Sequence, residues 1–311
     1  MTEKIDRLCS ASIPFIVISD FKGEHLEVYT LDEALKAGIE FTIKHRFQPH
    51  KHSLQLEKEP LAFTHYEKKF KRVIEEIKNG NTYLLNLTQP TPIKLNATLQ
   101  SVFTQANAPY KIKYKDKFVC FSPETFIQIE NDTIATFPMK GTIDASIPNA
   151  KQRILSNQKE MAEHVMVVDL LRNDLGIIAD NIQVEKFRYI TRIDTEGKSL
   201  LQVSSKITGK LPTNWRSNFS SVLRALLPAG SISGTPKKKT VEIIETIEEY
   251  ERGFFSGIFG YFDGTNFDSC VMIRYIEKTD NGYLYKSGGG ITLESDALAE
   301  YQELLDKIYL P

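Results

Sequence analysis

The chain has 311 residues, 41% hydrophobic and 25% charged, which is the composition of an ordinary water-soluble globular protein. The formal net charge is -1, so the protein has no strong electrostatic field that would attract nucleic acid or anionic lipid. We therefore expect neither as a partner. No stretch approaches the roughly 18 apolar residues that span a bilayer, and the N-terminus lacks the apolar core of a signal peptide. Three widely separated cysteines form no CxxC pair, so we expect a reduced, cytoplasmic protein without a zinc site or disulfide framework.

The N-terminal residues predict few regular elements. Residues 13–18 form a short apolar run that is typical of a strand, and Leu31–Ile43 is predicted as a helix. The polar stretch Arg46–Pro60 contains prolines and histidines and is predicted as a linker. We therefore interpret residues 1–63 as a shortened N-terminal part of the fold whose main body is residues 64–311.

The main body opens with a helix and continues as strands. Apolar residues recur at helical spacing between Tyr66 and Ile77, and Gly80 follows as a C-terminal stop. From Asn81 to Thr142 the chain consists of short runs rich in β-branched and aromatic residues, bounded by proline, asparagine and aspartate. Such runs predict a series of strands.

The second half of the chain mixes helices and strands. Residues 150–176 return to helical periodicity, and the apolar runs 253–264 and 269–277 are predicted as strands. The chain closes on a helix from about Asp296 to Ile308, for which Ser295 is the expected N-cap. Strands cluster and helices cluster instead of alternating, which predicts an α+β fold with a large, mostly antiparallel sheet system.

Two pairs of glutamates are candidate metal ligands. Glu160 and Glu163 are three residues apart on one predicted helix, and Glu300 and Glu303 have the same spacing on another. This spacing puts each pair on one helix face. Four carboxylates brought together would repel unless a cation lay between them, and oxygen ligands favour Mg²⁺ over zinc. The alternative is two solvated helix faces, where most acidic side chains lie.

Two glycine-containing segments are candidate anion sites. In Gly288–Gly290 the backbone lacks side chains, so an anion could approach its N–H groups closely. The alternative is a turn that needs a positive φ angle. Ser231–Lys237 could also hold an anion, but its Thr235-Pro236 pair is equally typical of the N-cap and first residue of a helix.

Lys140 lies between two predicted strands and is followed by Gly141 and Thr142. A lysine buried beside other cations could lose its proton and act as a nucleophile, whereas the alternative is an ordinary surface lysine. His164 follows Glu163 on an amphipathic helix, and we expect it to be half-buried and hydrogen-bonded rather than to act as a ligand or base.

Five motifs occur in a characteristic order. They are Ser122-Pro123-Glu124, Pro138–Thr142, Lys159–Leu175, Ser233–Lys237 and Gly288–Ile291. In this order the chain resembles the chorismate-binding enzyme family, which includes the anthranilate and aminodeoxychorismate synthase components I and the isochorismate and salicylate synthases. The resemblance covers roughly residues 64–311, which we interpret as the chorismate-binding catalytic domain, while residues 1–63 match only loosely.

The resemblance implies a large α/β sandwich of two sheets around a central cleft that holds Mg²⁺ and chorismate. Glu163 and Glu303 would bind the metal, and Glu160 and Glu300 would stand behind them through water. The other implied contacts lie on the enolpyruvyl carboxylate side (Gly289, Gly290, Arg274 and Lys307) and along the ring (Gly141, Thr142 and Ser231).

Glu124 and Lys140 would carry the chemistry. Glu124 would be the general acid that protonates the departing C4 hydroxyl. Family members that make anthranilate or isochorismate usually carry alanine where this chain has Lys140, whereas lysine there resembles the aminodeoxychorismate branch. The implied route has the Lys140 amine attack C2 as the C4 hydroxyl leaves, and ammonia then enters at C4 and expels the lysine. The expected product is 4-amino-4-deoxychorismate, for 4-aminobenzoate and folate synthesis.

Three positions depart from the family pattern. Leu84 occupies the place of a water-activating lysine in isochorismate synthases, which argues against addition of water, and Gln202 and Phe255 replace a histidine and an aromatic hydroxyl. Anthranilate synthase component I and a non-catalytic chorismate-binding subunit therefore stay open as alternatives. No Gly-x-Cys-x-Gly turn surrounds a cysteine, so ammonia would come from solution or from a separate glutamine amidotransferase (glutaminase) subunit.

Overall fold

The computed structural model describes residues 2–44, 54–195 and 198–310. Strands dominate this part of the chain. In chain order they are β1 (Phe15–Ser19), β2 (Leu26–Thr30), β3 (Ile39–Ile43), β4 (Leu56–Lys58), β5 (Leu84–Leu95), β6 (Tyr110–Tyr114), β7 (Phe118–Ser122), β8 (Thr125–Glu130), β9 (Thr133–Thr136), β10 (Met139–Asp144), β11 (Asp180–Thr195), β12 (Lys198–Lys210), β13 (Gly234–Thr235), β14 (Ile258–Phe262), β15 (Phe267–Val271), β16 (Tyr275–Thr279) and β17 (Gly282–Ile291).

The helices lie between and after these strands. In chain order they are α1 (Thr2–Ser10), α2 (Leu31–Lys36), α3 (Phe63–Lys78), α4 (Leu99–Gln105), α5 (Ala150–Ser156), α6 (Gln158–Gly176), α7 (Phe219–Leu226), α8 (Lys237–Glu248) and α9 (Ala297–Asp306). Two short 3-10 helices, Trp215–Asn218 and Gly230–Ile232, complete the set for the described residues. None of the described helices is both long and apolar enough to cross a membrane.

The strands form two antiparallel sheets. The first has the order β10-β12-β9-β8-β15-β14-β1-β2, with β11 paired to β12. The second has the order β13-β5-β17-β16-β7-β6-β3, with β4 paired to β5. Neighbours such as β1 and β14, or β5 and β17, lie far apart in sequence yet pair in continuous register. The expected α+β fold with two large antiparallel sheets is confirmed.

Buried side chains on alternate positions join the layers. Ile16 and Ile18 of β1 are fully buried in one apolar cluster with Ile112 of β6 and Tyr275 of β16, which brings the two sheets together. Phe15 of β1 belongs to a different cluster, which includes side chains of the helices. This alternation is what a strand with both faces covered requires. Because β1 lies inside the first sheet, the N-terminal residues are part of the same fold.

Most predicted elements are confirmed, with the main exceptions near the N-terminus and in residues 81–142. Leu31–Ile43 is not one helix, because α2 ends before Gly38, whose φ of +73° favours glycine, and β3 follows. The predicted linker falls largely on residues 46–53, which lie outside the described residues. Within the predicted run of strands the sequence analysis missed α4, whose N-cap Thr98 accepts a hydrogen bond from the Ser101 backbone N–H.

Two predicted helix caps are wrong. The N-cap of α9 is Asp296, whose carboxylate accepts from the backbone of Leu298 and Ala299, while the Ser295 hydroxyl donates to Glu300 instead. Thr235 does not cap α8, because it pairs with β5 as part of β13 and the helix starts later, at Lys237. For Ser295 a side chain five residues further on competes with the capping interaction, and for Thr235 pairing with a distant strand does so.

A buried ion pair fixes the position of β5 against α8. The side chains of Glu248 and Arg252 are 1% and 2% exposed. The Glu248 carboxylate also accepts from the backbone N–H and the hydroxyl of Thr88. Arg252 donates to the backbone carbonyls of Ile232 and Asn86. These bonds satisfy two charges that would otherwise be costly to bury.

We expect Glu248→Gln to lower the free energy of unfolding by about 3–5 kcal/mol, because it leaves the buried Arg252 charge uncompensated. Urea denaturation measures the loss. Glu67→Gln is the matched control, since its ion pair with Lys71 is exposed and should contribute less than about 1 kcal/mol. Equal losses in the two variants would contradict the role given to the buried pair.

Candidate active site

A β-bulge places Lys140. On β10 Met139 lies opposite Ser204 of β12, and Thr142 lies opposite Gln202, so three steps on one strand match two on the other. The extra residue falls at Lys140-Gly141, where Gly141 has a φ of +87° that favours glycine. Bulges of this kind bend a strand and change the direction of its side chains.

The Lys140 amine lies among carboxylates. Its Nζ donates to Glu163 Oε2 at 2.8 Å, and the side chains are 24% and 11% exposed. Burial lowers the pKa of Lys140, but the charges of Glu163, Glu160 and Glu303 outweigh this effect and raise it. The nucleophile hypothesis requires a lysine buried beside cations, whereas the structure pairs Lys140 with carboxylates that hold it protonated. A nucleophilic role therefore requires the amine to leave Glu163 and lose its proton.

The two glutamate pairs converge from α6 and α9. Glu303 Oε1 accepts from Lys307 Nζ at 2.7 Å, and Lys307 also donates to the Gly288 carbonyl at 2.8 Å. Burial raises the pKa of Glu303, but Lys307 and Lys140 more than offset this and lower it overall. Glu160 and Glu303, from different helices, thus act on the same amine, so the two faces are not separate, although the Glu303 side chain is 56% exposed.

Three glycines make room for these side chains. A Cβ atom at Gly141 would lie 3.0 Å from Glu160 Oε2, and one at Gly289 would lie 3.3 Å from Glu300 Oε2. A Cβ atom at Gly290 would lie 3.2 Å from the Lys140 amine. Gly289 and Gly290 belong to β17, and neither has a positive φ. The alternative of a turn that needs a positive φ is therefore wrong, and close approach of charged groups explains these glycines.

Leu84 lies beside the same amine. A Cβ atom at Gly290 would lie 3.2 Å from Leu84 Cδ1 and also 3.2 Å from Lys140 Nζ. Leu84 is 4% exposed, so an apolar side chain closes this side of the cleft. The other departures lie elsewhere: Gln202 is opposite the exposed Thr142, and Phe255 is buried against the Tyr275 ring between the sheets.

Glu124 lies at the cationic side of the cleft. The Ser231 hydroxyl donates to Glu124 Oε1 at 2.5 Å, from the short 3-10 helix that holds Ser231. Burial raises the pKa of Glu124, although the bond from Ser231 and the charges of Arg274, Lys307 and Lys140 work in the opposite direction. A glutamic acid with a raised pKa keeps its proton at higher pH and can donate it.

Arg274 lies on the same cationic side of the cleft as Glu124. Its contact with Tyr309 was not predicted from the sequence. Arg274 has a φ of +55°, and its Nε donates to the Tyr309 hydroxyl at 3.3 Å while the guanidinium lies 5.3 Å from the centre of that ring. No sequence motif pointed to Tyr309, because the contact joins the segment between β15 and β16 to the C-terminal residues. The Arg274 charge lowers the pKa values of Glu124 and Glu303, so it acts on both parts of the cleft.

The carboxylates suit a hard cation. Glu160, Glu163 and Glu303 surround one amine, whose positive charge balances theirs. Among the described residues, only Asp20, Glu24 and His25, in the turn between β1 and β2, form a trio whose ligand atoms lie within 4.8 Å of one another. The glutamates of the cleft are more widely spaced. Mg²⁺ usually keeps several waters and takes one or two carboxylates directly, so it does not require a trio as compact as the one at Asp20.

His164 follows Glu163 on α6. It is fully buried, and its Nε2 lies 2.7 Å from the Ser205 hydroxyl. Burial, with the charges of Arg188 and Lys140, lowers the pKa of His164 to about 4. The ring is therefore neutral near pH 7. The expected hydrogen-bonded histidine is confirmed, although its burial is complete.

A cleft that brings a carboxylic acid, two amines and paired carboxylates together is typical of an enzyme active site. The family model described as chorismate binding enzyme matches residues 17–310. The chain belongs to this family.

Named relatives agree with this assignment. The chain is 48% identical over 302 residues to a Haemophilus influenzae protein named "Uncharacterized PabA-like protein", covering 96% of the chain and 92% of that protein. It is 32% identical over 258 residues to aminodeoxychorismate synthase component 1 of Salmonella typhimurium, covering 78% of the chain and 56% of that protein. Anthranilate synthase component I of Streptococcus pneumoniae superimposes with a TM-score of 0.69 and 26% identity, covering 82% of the chain and 58% of the solved structure.

We expect Gly141→Ala to destabilise the protein by more than Gly80→Ala does, as measured by urea denaturation. Both positions have a positive φ, which costs about 1–2 kcal/mol for a residue with a Cβ atom. The space around Gly80 is open, whereas a Cβ atom at Gly141 would press on Glu160. Equal losses would mean that the bulge does not need the space beside Glu160.

Proposed function

We propose that the chain is an aminodeoxychorismate synthase component I, which converts chorismate and ammonia to 4-amino-4-deoxychorismate for 4-aminobenzoate and folate synthesis. The observation that carries the proposal is the bulge that brings the Lys140 amine to Glu163, in a cleft whose other side holds the acid Glu124. The relative named aminodeoxychorismate synthase component 1 supports the same choice.

The charged groups of the cleft match the two carboxylates of chorismate. Glu163 and Glu303 would hold Mg²⁺ directly, with Glu160 and Glu300 behind them through water. When bound, Mg²⁺ supplies a positive anchor for the ring carboxylate. The enolpyruvyl carboxylate would meet Arg274, Lys307 and the backbone of Gly289 and Gly290, and Gly141, Thr142 and Ser231 would line the ring.

In the first displacement Lys140 would act at C2 of the ring and Glu124 would act at the C4 hydroxyl. The Lys140 amine attacks C2, the two ring double bonds shift, and the C4–O bond breaks. Hydroxide is a poor leaving group, so the proton of Glu124 passes to the C4 oxygen and water departs. The raised pKa of Glu124 suits this task, because burial favours the protonated acid.

The second displacement reverses the first. Ammonia attacks C4, the double bonds move back, and the bond between C2 and the Lys140 nitrogen breaks to return the amine. Nitrogen therefore ends at C4, whereas direct attack at C2 would lead toward anthranilate. The apolar Leu84 beside the amine disfavours an ordered water there, which argues against addition of water to the ring.

The proposed nitrogen source is inferred from the sequence around the cysteines of the chain. No cysteine lies in the nucleophile turn of a glutaminase, so ammonia would come from solution or from a separate glutamine amidotransferase subunit. The name "component 1" of the Salmonella relative supports a partner subunit.

We expect Lys140→Ala to reduce formation of 4-amino-4-deoxychorismate by about three orders of magnitude, because it removes the nucleophile. Chromatography of products from chorismate, Mg²⁺ and ammonium measures the loss. Lys140→Arg is the matched control: it keeps the charge beside Glu163 but supplies no comparable nucleophile, so it should fail equally.

Full output from Lys140→Ala, or rescue by Lys140→Arg, would overturn the nucleophile role.

The same assay on the unchanged protein separates the candidate functions. Anthranilate as its product would assign anthranilate synthase component I, the alternative favoured by the structural likeness to that enzyme. Chorismate binding by calorimetry without any turnover would assign a non-catalytic subunit, an alternative that the replacements at Gln202 and Phe255 favour.

We expect kcat/KM to fall as the pH rises through the raised pKa of Glu124, because only the protonated acid can donate. Glu124→Gln should lose about 10²–10⁴-fold in rate and lose this dependence. Ser231→Ala should move the alkaline limb to higher pH, since the bond from Ser231 lowers the pKa of Glu124, as do Arg274, Lys307 and Lys140. An alkaline limb that persists in Glu124→Gln would assign it to another group.

A further inference from the structure

Arg274 differs from the two buried arginines of the described chain in what its guanidinium contacts. Arg252 pairs with a carboxylate and donates to two backbone carbonyls, and Arg188 also donates to two backbone carbonyls. Within the described ranges, the Arg274 side chain makes one hydrogen bond, from Nε to the Tyr309 hydroxyl at 3.3 Å, and no ion pair. Its terminal nitrogens therefore keep the pair of donors with which a guanidinium binds a carboxylate.

The segment between β15 and β16 brings Arg274 to the cleft. The Val271 backbone N–H donates to the Glu124 carbonyl at 3.1 Å, and the Phe121 backbone N–H donates to the Arg274 carbonyl at 3.0 Å. Both bonds tie the segment to the chain around Glu124. Arg274 has a φ of +55°, which is unfavourable for a residue with a Cβ atom and is found preferentially at functional sites. These bonds fix its backbone but leave its long side chain to be positioned by another group.

Tyr309 can position that side chain because its own backbone is fixed. The buried Tyr285 hydroxyl, on β17, donates to the Tyr309 carbonyl at 3.1 Å. The preceding residue, Ile308, is 5% exposed and lies in the same apolar cluster as Tyr285. The Tyr309 side chain itself is 44% exposed, and its ring centre lies 5.3 Å from the Arg274 guanidinium. Tyr309 therefore joins a fixed stretch of backbone to both the Nε atom and the face of the guanidinium.

A second cation lies two residues before Tyr309. Lys307 donates to the Gly288 carbonyl at 2.8 Å, and its amine already has a carboxylate partner, Glu303, at 2.7 Å. In the proposed function Lys307 and Arg274 meet the enolpyruvyl carboxylate together. Of the two, Arg274 is the cation that has no carboxylate partner within the described part of the chain. Its orientation therefore matters more for binding a further carboxylate.

Holding an arginine side chain in place before a ligand arrives strengthens binding. A long side chain loses rotamer freedom when a ligand immobilises it, and that loss weakens binding. A hydrogen bond to Nε and contact with an aromatic face restrict the Arg274 guanidinium in advance. Because Tyr309 occupies the Nε side, the terminal nitrogens remain for the ligand.

We propose that Tyr309 is a positioning residue for Arg274: its hydroxyl and its ring hold the guanidinium so that the terminal nitrogens face the second carboxylate of the substrate. The identity of that group as the enolpyruvyl carboxylate of chorismate rests on the proposed function. Tyr309 acts through Arg274 and not on the reacting atoms, so its effect is on substrate binding.

The binding test uses Tyr309→Ala and Tyr309→Phe, with calorimetric titration of chorismate in the presence of Mg²⁺. We expect the dissociation constant to rise about tenfold in Tyr309→Ala, which loses the hydroxyl and the ring, and about threefold in Tyr309→Phe, which loses the hydroxyl alone. Tyr309→Phe also keeps the packing of the segment, so it tests the role even if Tyr309→Ala does not fold.

Tyr283→Ala is the matched control. Tyr283 lies on β17 and packs against the apolar cluster that contains Ile308, and none of the described contacts joins it to Arg274. Its replacement should leave the dissociation constant for chorismate unchanged. An equal rise in Tyr283→Ala and Tyr309→Ala would assign the effect to packing and overturn the positioning role, as would unchanged binding in both Tyr309 variants.

A double-mutant cycle tests whether Tyr309 acts through the guanidinium. Arg274→Met removes the charge and the donors while keeping a long side chain, and it should weaken chorismate binding by more than Tyr309→Ala does. Adding Tyr309→Ala to Arg274→Met should weaken binding no further, because the group that Tyr309 positions is already absent. Additive losses would overturn the proposal.

Kinetics separate this role from the chemical steps. The Tyr309 variants should raise KM for chorismate with little change in kcat, because the displacements use Lys140 and Glu124. A fall in kcat at unchanged KM would contradict the positioning role. Calorimetry needs no turnover, so absence of 4-amino-4-deoxychorismate from the unchanged protein would sink only the proposed function. Failure of the unchanged protein to bind chorismate would overturn this inference as well.

Discussion

The constraint on which the cleft depends is the balance of charge between its amines and its carboxylates. Lys140 pairs with Glu163, and Lys307 pairs with Glu303. Positive charge reduces the repulsion between the acidic side chains of α6 and α9, and the two amines supply it in this structure. The same balance raises the pKa of Lys140 while Glu163 is its partner, whereas burial raises the pKa of Glu124 on the cationic side.

The backbone is shaped to permit this balance. A bulge with a left-handed Gly141 brings Lys140 out of the regular alternation of β10, and two glycines of β17 let charged side chains approach the strand. The buried pair of Glu248 and Arg252 holds the neighbouring strand β5 in place. Rigid elements therefore position the reacting groups, which is what a site that works by orientation needs.

Sequence reasoning succeeded where local chemistry and periodicity agree. The helix that starts near Tyr66, the run of strands after it and the glutamate pairs on α6 and α9 all follow from residue type and spacing. It failed where another interaction takes the expected capping residue: Ser295 donates to Glu300, five residues further on, instead of capping α9, and Thr235 pairs with the distant strand β5 instead of capping α8. It also could not identify the charges that surround the Lys140 amine, because spacing along a strand does not say which charges face it.

By itself the sequence determined the class of fold, the family motifs and the identity of the charged residues, because these depend on residue types in a fixed order. Only the tertiary structure decided which of these residues meet. The bulge at Lys140, the approach of Glu124 to Ser231 and the support of His164 by Ser205 each join elements distant in the chain. Such contacts depend on sheet register and helix packing, which no local pattern specifies.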